Sequence, residues 1–366
     1  MKIVIDARIM FTSTGRYVER LVGHLQDLDH DNQYLILLLK KDLPRWQPKA
    51  ANFTKVEADF PIYSIREQVQ LALLLYRLHA DLVHFTMPQQ PLFYYGRKIT
   101  TIHDLTLLDF VNKRGGGGWK NWVSNEVKPR VFRRIMTFAI ATSSSILTAT
   151  HFVKDRLVSK LGAKAEKIVV ISESADALAE TARKPDFIGE NDKFIMYLGN
   201  AYPYKNVWRL IEAFHGLERP DLKLVLVGKK EFFYEELERR TSEVGISGVI
   251  FAGFVPDDGA VWLYRHAQAF VTPSLSEGFG LPGLEAMVYG APVLSSTATC
   301  LPEVYGGAAD YFDPYDVSAI SAAIGKLLDS PARQAELRAA GAEQIKRYSW
   351  EKMAGETLAV YKTAGK

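Results

Sequence analysis

Two glutamates eight positions apart, Glu277 and Glu285, flank a glycine-rich turn, Gly278-Phe279-Gly280-Leu281-Pro282-Gly283. An apolar run, Ala269-Phe270-Val271-Thr272-Pro273, leads in, and Leu284, Met287 and Val288 lead out at helical spacing. The pattern reads as a buried strand, a turn and a helix start. Backbone N–H groups in the first turn of a helix are unpaired and lie at the positive end of its dipole, so they attract an anion. Carboxylates beside such a site can accept hydrogen bonds from hydroxyls. A ligand with both phosphate and hydroxyls, such as a nucleotide-sugar, suits that combination. An ordinary helix start with two acidic positions also fits these residues, so the surrounding sequence must decide.

The elements that must position this turn repeat along the chain. Short apolar runs at Ile3–Ile5, Tyr34–Leu39, Leu82–Phe85, Ile99–Ile102, Ile146–Ala149 and Ile168–Ile171 alternate with helical patterns. Val18, Leu21, Val22, Leu25 and Leu28 mark one helical face, and further helices are expected over Ile65–His79 and Val123–Ala141. Strands apolar on both faces and separated by helices imply parallel sheets. Asp176 to Lys193 breaks the rhythm and reads as a linker, and the alternation restarts at Phe194–Leu198 and runs to Pro292–Ser295. Helical patterns over Pro331–Tyr348 and Trp350–Tyr361 close the chain with no strand after them. Two successive doubly wound α/β domains are therefore expected. The length of 366 residues agrees with two cores better than one.

Bulk properties bound the function. A net charge of +3 is too mild to imply a nucleic-acid partner, though it permits peripheral contact with an anionic membrane. The single cysteine, Cys300, excludes an internal disulfide framework and a multi-cysteine zinc site. Met1 runs directly into a strand pattern without the apolar stretch of a leader, so a cytoplasmic location is expected. No apolar run approaches the ~20 residues that span a bilayer. Asp29-His30-Asp31 spells a pattern used by some metal-dependent transferases, but it lies between a helix and a strand and reads as a turn.

The spacing of Glu277 and Glu285 resembles the E-x7-E motif of retaining glycosyltransferase family 4, mannosyltransferases included, whose fold is GT-B. The resemblance covers both domains and is strongest from Phe194 to Pro314. It implies two Rossmann-like domains facing a cleft: residues 1–176 for the acceptor, a linker at 177–193, residues 194–348 for the donor, and a final helix at 349–366 packing back on the first domain. Tyr197-Leu198-Gly199-Asn200-Ala201-Tyr202-Pro203-Tyr204-Lys205-Asn206 is similar to the family's phosphate-side loop, which puts Lys205 at the donor diphosphate. Many relatives have an arginine where this chain has Asn200, so Lys229 or Lys230 becomes the candidate second cation. Gly278, Phe279, Gly280 and Leu281 are implied at the donor, Glu285 at its ribose and Glu277 at its sugar. Val255, in Ala252–Asp258, falls in the loop that meets the nucleobase, with Asp257 and Asp258 expected to cap the next helix. Thr101-Ile102-His103-Asp104 resembles the His-Asp motif, with His103 close to the transferred sugar. The first strand–helix loop keeps only Gly15 of a common glycine pair, with Ser13 or Thr14 as candidate caps. After Ile171, relatives commonly carry Asn-Gly, whereas this chain has Ser172-Glu173-Ser174.

The implied activity is metal-independent, cofactor-free retaining transfer of a hexose, first mannose from GDP-mannose, to a glycan or lipid-linked hydroxyl. His103 and Glu277 are the implied catalytic residues. A UDP-sugar donor, a nucleotide-sugar epimerase or hydrolase, and an inactive GT-B binding module are the alternatives. No G-x-G-x-x-G or G-x-x-x-x-G-K-[ST] motif supports a dehydrogenase or P-loop enzyme. Trp119 and Trp122, beside four glycines and basic residues, have the composition of an interfacial membrane contact, or of a helix start with a solvated charged face.

Overall fold

Runs of Ile, Val and Leu that are buried on both faces build the sheets. The computed structural model describes residues 1–12, 14–62, 64–110, 128–176 and 178–365. It divides into two units, Met1–Glu173 with Ser349–Lys366, and Ser174–Tyr348.

The first unit holds a seven-stranded parallel sheet in the order β3-β2-β1-β4-β5-β6-β7. Its strands are β1 (Lys2–Asp6), β2 (Gln33–Leu38), β3 (Phe53–Glu57), β4 (Leu82–Phe85), β5 (Lys98–Thr101), β6 (Ser145–Thr148) and β7 (Ile168–Val170). The Arg16–Leu28 helix buries Val18, Leu21, Val22 and Leu25, the face its periodicity predicts. The Trp350–Ala364 helix packs against it. Ser349 caps that last helix by accepting from the Lys352 N–H, and Met353, Leu358 and Tyr361 are buried along it.

The second unit has a six-stranded parallel sheet, β10-β9-β8-β11-β12-β13. Its strands are β8 (Lys193–Leu198), β9 (Leu222–Val227), β10 (Val249–Gly253), β11 (Ala269–Thr272), β12 (Val293–Ser296) and β13 (Ala309–Phe312). Residues before β8 are tied to this unit: the Arg183 N–H donates to the Asp258 carbonyl and the Leu178 N–H to the Tyr289 hydroxyl. In both sheets the strand order reverses beside the first strand of the unit, between β1 and β4 and between β8 and β11. A parallel sheet opens a crevice at such a point, outside the carboxyl ends of its strands, and ligands bind there.

Several local expectations change. β3 is an additional edge strand whose Phe-Thr-Lys-Val-Glu sequence shows neither an apolar run nor an apolar–polar alternation. The expected Ile65–His79 helix opens with a π turn, Glu67–Leu71, before regular helix at Ala72–Leu78. Arg8 explains that turn. Buried after β1, its guanidinium donates to Asp6 Oδ1 (2.8 Å) and Oδ2 (2.7 Å) and to Glu67 Oε1 (2.9 Å), drawing Glu67 under the sheet edge. Gln89 donates to the other Glu67 oxygen at 2.7 Å. The Pro331 helix ends at Gln344, followed by a 3-10 turn. Pro256, not Asp257 or Asp258, occupies the N-cap of the next helix; both aspartates lie in its first turn, where the dipole favours them. Lys128–Thr142 forms a helix, while the expected helix start from Val123, the segment with Trp119 and Trp122, and Ser13 lie outside the described residues.

Candidate functional site

The second sheet reverses between β8 and β11, so the loops after these strands meet. The β8 loop turns through Pro203–Lys205 and is pinned by Asn206, a buried residue in the left-handed conformation at φ 60°. The Asn206 amide donates to the Pro273 carbonyl at 3.1 Å and to the Pro314 carbonyl at 2.7 Å, and its oxygen accepts from Arg209 at 2.7 Å. The Leu275 N–H donates to the Tyr204 carbonyl at 2.7 Å. These bonds fix the β8 loop against the β11 loop and set the ends of two side chains together.

Those side chains are Lys205 and Glu277. The Lys205 ammonium donates to both Glu277 carboxylate oxygens, at 2.7 and 2.8 Å. Ser274 donates to Glu277 Oε1 at 2.7 Å, and the Glu277 N–H donates to the Thr299 hydroxyl at 3.1 Å. Each side chain of the pair keeps 14% of its exposure, so the pair is held yet reachable from solvent. The carboxylate's field extends beneath it: burial, and then the Glu277 charge, push the Cys300 thiol and the Tyr305 phenol up, and burial, then Tyr234 and Glu277, do the same to the Tyr197 phenol, so all three stay protonated. An anionic phosphate near Lys205 would compete with Glu277 for the same ammonium.

The helix after this loop, Leu281–Val288, starts at Gly280, and no side chain caps it. Gly280 sits at φ 88°, and a Cβ there would lie 2.5 Å from the Tyr305 hydroxyl, which donates to the Gly280 carbonyl. Only glycine fits that turn. Phe279 is buried edge-on to Tyr348 with ring centroids 5.3 Å apart. Glu285, on the same helix, is buried, and its Oε2 accepts from the Tyr264 hydroxyl at 3.2 Å. Val255 is buried in the turn between β10 and the Asp257–His266 helix. The Asn200 side-chain oxygen accepts from the Tyr202 N–H at 3.3 Å, stiffening the turn that starts at Gly199. Of the candidate second cations, Lys230 reaches both Glu238 oxygens at 3.2 Å. Tyr202 and Tyr204 stack at 5.9 Å beside Lys205.

In the first unit, His103 follows β5. Its Nδ1 lies 2.8 Å from Glu173 Oε1 and its Nε2 3.1 Å from the Thr86 carbonyl. Burial presses the ring toward neutrality, but the hydrogen bond and charge of Glu173, then Asp104 and the Thr86 carbonyl, outweigh it and raise the pKa above 6.5. Tyr17 meets the ring edge-on at 4.8 Å. Both ring nitrogens are engaged within the unit, so a hydrogen bond to a sugar hydroxyl requires one to be released. Gly15 lies where a Cβ would fall 2.1 and 2.2 Å from the Ile9 and Met10 carbonyls. The close approach seen there is to the loop's own backbone. Asp29 receives Tyr34 at 2.5 Å and Asn32 at 2.6 Å, which accounts for that carboxylate as a turn anchor.

The structure thus joins Lys205 to Glu277, sets Gly280 and Glu285 on one helix start, and keeps His103 with Glu173. Glu173, Ser274 and the bridging role of Asn206 went unread in the sequence. Asn206 lies inside the Lys205 motif, and its place just before a helix was the available signal.

Comparison with known proteins shows the family and the fold. Residues 178–344 match the model described as glycosyl transferases group 1, and residues 14–177 match glycosyltransferase family 4. The chain is 30% identical over 286 residues to an O-antigen chain mannosyltransferase B of Escherichia coli, covering 73% of this chain and 70% of that one. It is 32% identical over 303 residues to the serotype-specific mannosyltransferase WbdA of Escherichia coli, covering 80% of this chain but only 36% of WbdA. The structure superposes on sucrose-phosphate synthase from Thermosynechococcus elongatus with a TM-score of 0.78 at 17% identity, covering 99% and 98% of the two chains, a likeness of fold.

Proposed function

The chain belongs to the group 1 and family 4 glycosyltransferases with the GT-B fold, and from that premise we propose that it transfers mannose from GDP-mannose, with retention and without a metal ion, to a hydroxyl of a glycan or lipid-linked glycan. The observation that carries this reading is the Lys205–Glu277 pair, fixed at the strand-order reversal of the second sheet beside an uncapped helix start. Relatives named as mannosyltransferases support the sugar.

In this reading the nucleotide binds the second unit. The diphosphate takes the ammonium of Lys205 and the first-turn N–H groups, which stabilise charge growing on the leaving nucleotide. Glu277, released from Lys205, accepts from sugar hydroxyls, and Glu285 accepts from the ribose. The acceptor hydroxyl attacks the anomeric carbon from the face the diphosphate leaves, through an oxocarbenium-like state. The departing phosphate oxygen takes the acceptor's proton, so no covalent enzyme intermediate forms. Labelled mannose should pass from GDP-mannose to mannose-terminated or polyprenyl-diphosphate-linked glycans in EDTA. Lys205→Ala should lower turnover about a hundred- to a thousandfold. An absolute need for Mg²⁺ or Mn²⁺, or full turnover without Lys205, contradicts the proposal.

Peripheral contact with an anionic membrane belongs to the same reading, and a surface of the first unit supports it. Ile65, Val69, Leu73 and Tyr76 are exposed at spacings of four, four and three, with Ile65 at 84%. Tyr76 donates to the Phe93 carbonyl and accepts from the Tyr95 N–H, which joins exposed Phe93 and Tyr95 to the stripe. Arg66, Arg77 and Arg97 are exposed on the same segments, where Glu67 is the sole carboxylate and lies buried under Arg8. Apolar residues within a basic rim suit an anionic lipid surface. Among the described residues no helix is long and apolar enough to cross a membrane. The protein should sediment with phosphatidylglycerol-rich vesicles at low salt, and Val69→Glu with Leu73→Glu should leave it in the supernatant. Equal sedimentation of both proteins removes this surface from the account.

A further inference from the structure

With Glu173 ionised, the two contacts of His103 are both satisfied in only one protonation state of the ring. Nδ1 faces a carboxylate oxygen of Glu173 and Nε2 faces the carbonyl of Thr86. An ionised carboxylate and a carbonyl accept hydrogen bonds and donate none, while a neutral imidazole carries a single N–H. A neutral ring would therefore set one lone pair against an acceptor at 2.8 or 3.1 Å. The imidazolium, with two N–H groups, satisfies both contacts. Glu173 keeps 8% of its side-chain exposure and His103 25%, so their attraction is only partly screened.

The groups around the ring favour that state. Asp104, on the same loop, adds negative charge. His84, on β4, lies between the Tyr361 hydroxyl at 2.7 Å and the Thr101 hydroxyl at 2.8 Å. Burial, then the neighbouring charge of His103, push its pKa down to about 3, so it stays neutral and adds no competing cation. Tyr17, from the Arg16–Leu28 helix, is held as the phenol by burial and donates to or accepts from Thr101 at 3.1 Å. Tyr361, from the last helix, is likewise protonated.

We propose that Glu173 is a positioning residue that holds His103 as a doubly protonated imidazolium, pinned through both nitrogens, so that the first unit carries a fixed cation after β5. A ring held this way acts through charge and shape and does not shuttle a proton. On the transfer reading above, on which its use in catalysis rests, that cation orients through its field a hydroxyl of a glycan held by the first unit. The sign of the linkage follows. The pair's contribution to stability is complete below pH 6.5 and is lost as pH rises through the raised folded value.

The test is a pH titration of the protein with its histidines labelled at Cε1, read by NMR, with the His103 resonance identified by its loss in His103→Asn. In the wild type His103 should titrate above 6.5, and in the near-isosteric Glu173→Gln its midpoint should fall by about one to two pH units. Glu173→Asp, which keeps a carboxylate, should recover part of the shift. A midpoint at or below 6.5 in the wild type, or one unmoved by Glu173→Gln, overturns the proposal. The readout needs no activity, so an inactive enzyme with the expected titration would defeat the transfer reading and leave this one standing. A transferring enzyme with an unmoved His103 would do the reverse.

Discussion

The carboxyl edges of the two sheets handle charge in opposite ways. In the first unit, Arg8, Asp6 and Glu67 are buried within one another after β1, with Arg8 at 1% exposure and Glu67 at 0%. That cluster fixes the π turn and offers nothing to a ligand. In the second unit, Lys205 and Glu277 form an equally short pair, but each retains 14% exposure and neither is enclosed. Lys205 and Glu277 come from the loops after β8 and β11, neighbours at the order reversal, whereas Arg8 follows β1 and Glu67 lies in the turn that opens the Ala72–Leu78 helix. The difference is access. A buried cluster stabilises its own loop, while a half-open pair can exchange its internal partner for a ligand.

Stability measurements can break that comparison. Arg8→Met leaves two carboxylates buried without their cation, and should lower the free energy of unfolding by about 3–5 kcal/mol. Lys205→Met leaves Glu277 held by Ser274 and open to water, and should change it by about 1 kcal/mol or less. Urea unfolding followed by tryptophan fluorescence reads both. Equal losses would mean that Lys205–Glu277 is a structural pair like the first, and that its exposure has no functional meaning.

How much of this the sequence disclosed depends on the range of each contact. The Arg16–Leu28 helix was legible because its apolar residues recur on one face. Lys205 and Glu277 were legible as motifs, each beside its own strand and helix. Their contact, 72 residues apart in sequence, follows once β8 and β11 are neighbours. Glu173 was not legible as a partner of His103. The two follow β7 and β5, with β6 between them, so sheet order and side-chain length decide the contact, and no local pattern marks it. β3 escaped because its apolar residues, Phe53 and Val56, are three apart and fall on opposite faces, so neither an apolar run nor an alternation marks it. The π turn escaped because its cause, Arg8, lies 59 residues from Glu67.

The central claim is that Lys205 and Glu285 grip the nucleotide while Glu277 answers to the sugar. Calorimetric titration of GDP in EDTA into the wild type, Lys205→Ala, Glu285→Ala and Glu277→Ala tests it directly. Lys205→Ala and Glu285→Ala should each weaken binding about tenfold to a hundredfold, the range of a hydrogen bond to a charged group. Glu277→Ala should bind GDP as well as the wild type or more tightly, because it frees the ammonium that the phosphate needs. Wild-type affinity in Lys205→Ala, or a loss in Glu277→Ala equal to that in Glu285→Ala, would contradict the account.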